Sequence, residues 1–183
     1  NIYDANNWVN PLIGYNYDSF NPDVLQGMNV VNGNVVTQGG MSYKILVIPA
    51  NTKMNPSNRI SNASIKKIID LVKAGATILI DSTYKKLFVQ NDVSFNFRVE
   101  KNIIASTFGK GKFVLTPFAA ESFKALCVDR DVEILTKDIN SNEIVFTHRS
   151  INGTEVYFIS NQVAKERTIQ LALNTVNKQP EVW

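Results

Sequence analysis

A strand, a helix, a glycine and a second strand follow one another between Tyr43 and Ile80, and this order leaves few folds open. Residues 43–48 are almost continuously apolar and stop at Pro49. Such a run reads as a central parallel strand buried on both faces. Ile65, Ile68, Ile69 and Val72 then repeat at helical spacing, while Lys66, Lys67, Asp70 and Lys73 face the other way. Ser61 or Asn62 can cap that helix, and Gly75 stands where a left-handed residue ends one. Ala76–Ile80 forms the next buried strand. The unit is βαβ, its crossover should be right-handed, and an open α/β sheet follows.

The flanking segments extend this picture. Residues 1–20 lack periodicity and read as an irregular entry segment rich in Asn, Tyr and Trp. Asn21, Pro22 and Asp23 start a helix, because Asn caps, Pro suits the first turn and an acid favours the positive end of the dipole. Asn32-Gly33 between two valine pairs predicts a tight hairpin. Residues 81–102 are ambiguous, with a helical turn over Tyr84–Val89 and an edge strand over Ser94–Val99. Phe113–Thr116 reads as a strand stopped by Pro117, Ala119–Val128 as a short helix and Val132–Leu135 as a strand. After Lys137 the pattern becomes alternating: Glu143–His148, a turn at Asn152-Gly153, Glu155–Ser160 and Thr168–Leu173. These read as antiparallel strands with one buried face. The expected division is 1–137 as an α/β domain with its entry segment, and 138–183 as an antiparallel extension or the start of a β-sandwich.

Composition removes several function classes. The net charge is +3 over 183 residues, and residues 1–43 hold no Lys or Arg. No basic stripe exists for nucleic acid, whose phosphates demand clustered cations. No apolar run approaches the ~20 residues of a membrane span. Cys127 and His148 are each alone, so a His/Cys zinc site is excluded, while a calcium site of carboxylates and carbonyls stays open to the sequence; no cofactor is expected and no metal ligand is assigned. Cys127 lies in an apolar, helix-like stretch and reads as a small buried hydrophobe.

Motifs for chemistry are sparse. Gly109-Lys110-Gly111 precedes a strand instead of opening a helix, so it reads as a tight turn and not a phosphate loop. Asp81-Ser82-Thr83 follows a strand but lacks the glycines of a nucleophile elbow. Asp4, Asp18, Asp23 and Asp81 stand at loop ends, with nothing in the sequence to pair them across a cleft. Trp8, Tyr15, Tyr17 and Phe20 suit either sugar stacking or the pinning of an irregular segment. His148-Arg149 at a strand end suits a hydroxyl cluster or a structural edge pair. Asn62-Ala63-Ser64 and Asn152-Gly153-Thr154 match the glycosylation sequon, yet capping and turn chemistry account for both in a chain with 22 Asn.

The order of several segments resembles one family. Gly14–Asp18, Asn21–Leu25, Gly40–Pro49, Ile68–Ile80, Gly109–Lys112, Phe146–Arg149, Val156–Asn161 and the close at Pro180–Trp183 resemble the region that follows the catalytic barrel in glycoside hydrolase family 106, the α-L-rhamnosidases. The resemblance implies a flavodoxin-like, class I glutamine amidotransferase-like domain: an open parallel sheet with helices on both faces. It implies a non-catalytic accessory part of a secreted or periplasmic hydrolase acting on plant or bacterial polysaccharide, inactive alone, with a barrel and a β-sandwich of the same polypeptide as partners. The family's acid and base lie in the barrel, so no catalytic residue is carried over. Candidate saccharide contacts are Tyr15, Tyr17, Asp18, His148 and Arg149. True amidotransferases hold a cysteine where this chain has Asp81-Ser82-Thr83. Two other readings stand beside this one: a carbohydrate-binding or oligomerisation module, and an amidotransferase or peptidase using Cys127 and His148.

Overall fold

The computed structural model describes residues 12–51, 56–57, 59–91, 95–100, 103–115, 118–137, 139 and 143–182. Asp4, Trp8, Ser94, Thr116 and Pro117 lie outside the described residues, together with the readings attached to them. Two compact units emerge. One contains Ser19–Val128, and the other combines Pro11–Asp18 with Asp129–Trp183. The change of sequence pattern falls instead at Lys137, with the entry segment on the α/β side.

The first unit begins with α1 (Pro22–Gly27), where the Asn21 side chain accepts from the Val24 N–H at 2.9 Å. Strands β1 (Asn29–Val31) and β2 (Asn34–Val36) form the hairpin expected around Asn32-Gly33, and β3 (Ser42–Tyr43) adds a third antiparallel strand. The run that read as one strand from Tyr43 is thus divided. Tyr43 pairs with β2, and only β4 (Leu46–Ile48) enters the larger sheet.

Helix α2 (Asn62–Ala74) follows, capped by Ser61, whose hydroxyl accepts from the Ser64 N–H at 3.1 Å. Then come β5 (Thr77–Ile80), a 3-10 turn at Ser82–Tyr84, α3 (Lys85–Val89), β6 (Arg98–Glu100), β7 (Ile103–Phe108), β8 (Gly111–Val114) and α4 (Ala120–Ala125). The sheet order is β4-β5-β8-β7-β6. Strands β4, β5 and β8 are mutually parallel, while β7 and β6 run antiparallel to their neighbours.

This corrects the expected open parallel sheet: the sheet is mixed. The physical reason is the Gly109-Lys110 turn. A two-residue connection can join only antiparallel neighbours, whereas a parallel pair needs a long crossover. The sequence reading found the turn but not β7, the strand before it. Strand β4 is also an edge and not a centre, which fits the half-exposure of Val47 and Ile48.

Ile65, Ile68, Ile69 and Val72 of α2 pack with Leu46, Ile78, Ile80, Phe113 and Leu115 in one buried cluster. Each such aliphatic side chain contributes about 2 kcal/mol on burial. That exceeds the few tenths of a kcal/mol that β-branching costs a helix, so tertiary packing decides this helix. By the period-2 alternation, Leu79 and Val114 point to the opposite face, and both are buried.

The C-terminal end of α2 meets the β7–β8 turn backbone to backbone. Lys110 N–H donates to the Lys73 carbonyl and Lys112 N–H to the Ala76 carbonyl, both at 3.1 Å. A Cβ on Gly111 would stand 2.2 Å from the Ala76 carbonyl oxygen and 2.4 Å from that of Val72. One on Gly109, where φ is +62°, would stand 2.6 Å from the Lys73 Cα. The Gly-Lys-Gly motif is therefore a close-approach turn that serves the helix end.

In the second unit β9 (Val132–Ile134) pairs antiparallel with β12 (Leu171–Leu173), and β10 (Ile144–Ile151) with β11 (Thr154–Asn161). Gly14 fastens the early segment to β9. Its carbonyl accepts from the N–H groups of Asp131 at 2.7 Å and Val132 at 3.1 Å. Its φ is +83°, and a Cβ there would stand 2.2 Å from the Val132 carbonyl oxygen, so the position has room only for glycine.

Gly111→Ala should destabilise the chain by about 3 kcal/mol, since the Val72 carbonyl is held in α2 and the Ala76 carbonyl in its hydrogen bond with Lys112 N–H. Gly153→Ala, in an open turn with φ +80° and nothing within 4 Å, should cost only about 1 kcal/mol. Urea unfolding of both variants checks the contrast, and equal losses would refute the close-approach role.

Candidate functional site

A polar cluster lies in the second unit, around His148. The Asn152-Gly153 turn fixes the register of β10 and β11: Ile151 faces Thr154, Ser150 faces Glu155, Arg149 faces Val156 and His148 faces Tyr157. Both turn residues have positive φ, 51° and 80°, as this tight hairpin requires. Alternation then sends His148, Ser150, Glu155 and Tyr157 to one face of the ribbon.

The His148 ring is held on three sides. Its Nε2 lies 2.9 Å from Glu155 Oε2 and its Nδ1 lies 3.4 Å from Asp131 Oδ1. The Tyr157 ring stacks on it at 4.1 Å between centroids and 5° between planes. Glu155 uses its other oxygen to accept from the Ser150 hydroxyl at 3.1 Å. Asp131 uses its other oxygen to accept from the Asn16 N–H at 3.0 Å. The three side chains are only 16–26 % exposed.

Electrostatics follow from this geometry. The hydrogen bond from His148 holds the Glu155 carboxyl below its ordinary value of 4.5. Partial desolvation opposes this, and the Ser150 hydroxyl and the charges of His148 and Lys178 assist it. The Tyr157 phenol is pushed above its ordinary value of 10.0, first by burial and then by the negative charges of Asp131 and Glu155. Its hydroxyl is buried with no hydrogen-bond partner among the described residues.

The early segment runs alongside. The Asn16 amide donates to the His148 carbonyl at 3.1 Å, and Arg149 Nη1 donates to the same oxygen at 2.8 Å. Arg149 Nη2 lies 3.8 Å from Asp18 Oδ1, with both side chains more than 40 % exposed. An exposed pair of this kind stabilises by about 1 kcal/mol at most, but it presents a forked donor and an acceptor side by side.

Of the five candidate residues, the structure brings the side chains of Asp18 and Arg149 together; the His148 ring lies on the other face of the ribbon, and only its backbone carbonyl meets Arg149. Tyr15 is half-buried, and its N–H closes a turn onto the Leu12 carbonyl at 3.3 Å. Tyr17 is 60 % exposed. Sequence reasoning missed Asn16, Asp131, Glu155 and Tyr157. The Asn-Gly turn carried a signal for the last two, since counting outward from it pairs Tyr157 with His148 and Glu155 with Ser150. Asp131 and Asn16 carried none.

Other candidates take ordinary structural roles. Asp81 caps the 3-10 turn, accepting from the Thr83 N–H at 2.9 Å and hydroxyl at 2.7 Å. Ser82 sits in that turn, exposed, and not on an elbow. Cys127 is exposed at φ 57°, which corrects the expectation of burial. Helix α4 ends at Ala125, two residues before it, so the apolar stretch does not carry the thiol inward. His148 has a carboxylate on each ring nitrogen, leaving neither to serve a thiol as base. Among the described residues no group of three or more His, Cys, Asp or Glu is arranged to hold a metal ion. No helix among them is long and apolar enough to cross a membrane.

The sequence profile of glycoside hydrolase family 106, described as alpha-L-rhamnosidase, matches residues 1–183. The chain belongs to this family. A protein of Formosa agariphila described as a putative beta-glucuronidase is 28 % identical over 172 residues, covering 93 % of this chain and 14 % of that protein. The rhamnosidase of Novosphingobium sp. PP1Y has the same fold over 98 % of this chain and 17 % of its own, with a TM-score of 0.73 and 20 % identity. The chain thus spans about a sixth or less of the relatives it matches, and those relatives contain further domains.

Replacing His148 by Ala removes the leading cause of the Glu155 shift, so its titration midpoint should rise toward 4.5. Because the folded value is depressed, the stabilisation is complete above pH 4.5 and is lost as pH falls through the folded value. Carboxyl-resolved NMR titration of both proteins tests this; an unmoved Glu155 would refute the hydrogen bond as its cause.

Proposed function

We propose that this chain is a non-catalytic accessory and structural domain of a multidomain α-L-rhamnosidase-like hydrolase that acts on plant or bacterial polysaccharide. The parent protein would work in the periplasm or outside the cell, and the first unit would be an amidotransferase-like domain with an altered sheet. The observation that carries the reading is the family match over residues 1–183 in a chain spanning only 14 % and 17 % of larger relatives.

The geometry of the cluster supports it. Glycoside hydrolysis needs two carboxyl groups facing each other across a sugar, one to protonate and one to attack or activate water. Asp131 and Glu155 are instead both turned onto one imidazole, and each second oxygen is taken by another donor. Such carboxylates orient a ring; they do not face an open cleft.

Exposed Tyr17 beside the Asp18–Arg149 pair favours a second role, saccharide contact by Tyr15, Tyr17, Asp18, His148 and Arg149. A carboxylate and a guanidinium together match adjacent sugar hydroxyls, and an aromatic plane packs on the C–H face.

The purified chain should show no turnover of aryl α-L-rhamnosides, and measurable hydrolysis by it would overturn the accessory reading. In the whole enzyme, Tyr17→Ala combined with Arg149→Ala should raise KM for polysaccharide about fivefold with kcat retained, the size of about 1 kcal/mol of lost binding. An unchanged KM would remove the saccharide contact.

A further inference from the structure

The outer face of the β10–β11 ribbon is the opposite of the His148 face. Alternation and register place Val145, Thr147, Arg149 and Ile151 of β10 on it, against Ser160, Phe158, Val156 and Thr154 of β11. Phe158 is 67 % exposed, Ile151 56 %, Val156 47 % and Val145 43 %. Four large apolar side chains thus share one side of the ribbon.

A ribbon of this kind is an unusual thing to leave uncovered. The His148 face of this hairpin is packed, whereas the outer face is open. Contiguous exposed apolar patches mark interaction surfaces, whereas scattered apolar residues need no explanation. Only Arg149 on this face carries a charge, and it is already paired with Asp18. The face therefore suits an apolar partner surface with few ionic groups, in the manner of a domain–domain contact.

We infer that the outer face of the β10–β11 ribbon, centred on Phe158, is the docking surface for a further domain of the same polypeptide. The inference rests on the reading of the chain as one domain of a larger hydrolase. The relatives extend far beyond the matched region, which forms only 14 % and 17 % of them. A tethered domain meets the face at an effective concentration near millimolar, which a second copy of the protein does not approach in dilute solution.

Hydroxyl-radical footprinting of the full-length protein tests the docking directly. Phe158 should oxidise as slowly as fully buried Phe113, and at the same rate at all protein concentrations. Oxidation at the rate of the urea-unfolded protein would overturn the inference, and protection that disappears on dilution would overturn it in favour of a second copy. The double variant Val156→Thr and Phe158→Thr keeps strand preference on both positions. It should raise protease cleavage at the Asn152-Gly153 turn about tenfold or more in the full-length protein. The control Val99→Thr, at a 78 % exposed position of β6, should not. Equal cleavage of both variants and the parent would also overturn it. Rhamnoside hydrolysis by the same full-length preparation reports the functional reading separately, so a failed docking and a failed assignment are distinguishable.

Discussion

The contact between the C-terminus of α2 and the β7–β8 turn holds the first unit together. Helix ends leave carbonyls without partners, and a buried carbonyl without a donor is costly. Here the Lys73 carbonyl is satisfied by a strand turn and not by water. That requires backbone to lie on backbone, which only residues without Cβ permit. Once the turn is fixed, β8 is laid beside β5 and β7 beside β8, and the mixed sheet is the result. Gly75 lies near the same place: its Cβ position would be 3.9 Å from the Gly33 Cα. The hairpin turn, the helix end and the strand turn are thus gathered at one end of α2.

Local signals were legible wherever chemistry acted within a few residues. Asn21, Asn32-Gly33, Ser61, Gly75 and Asn152-Gly153 each stated a cap or a turn, and each stands there in the structure. The helix over Asn62–Ala74 was visible because one face must be apolar to pack. The parallel β4–β5 pair and the two Asn-Gly hairpins were legible, but the strand before Gly109 was not. Ile103–Phe108 contains Ser106 and Thr107 among its apolar residues, so it did not stand out. Without β7 the neighbours of β8 could not be oriented. The edge position of β4 was hidden for a related reason, since an apolar run does not reveal how many neighbours its strand has.

The candidate site divides along the same line. His148 and Arg149 were noticed as rare or charged residues at a strand end. Their hairpin partners followed from the turn, and the partners from other segments did not. Asp131 reaches His148 through the β9–β12 pairing and the Gly14 clasp, and neither is written in residues close to His148. Cys127 misled because an apolar neighbourhood in sequence was taken for burial, while the chain leaves its helix before reaching it.

The Asn152-Gly153 turn is the phase reference for two surfaces at once. It sends the imidazole cluster to one side of the ribbon and the Phe158 patch to the other. In a period-2 structure a shift of one residue exchanges the two sides. An insertion or deletion of one residue in this turn would therefore act as an inversion. The exchange would take one strand only: Glu155 and Tyr157 of β11 would leave the His148 face, and Val156 and Phe158 would come to it. Length at this turn is thus constrained more tightly than the chemistry of the residues it separates.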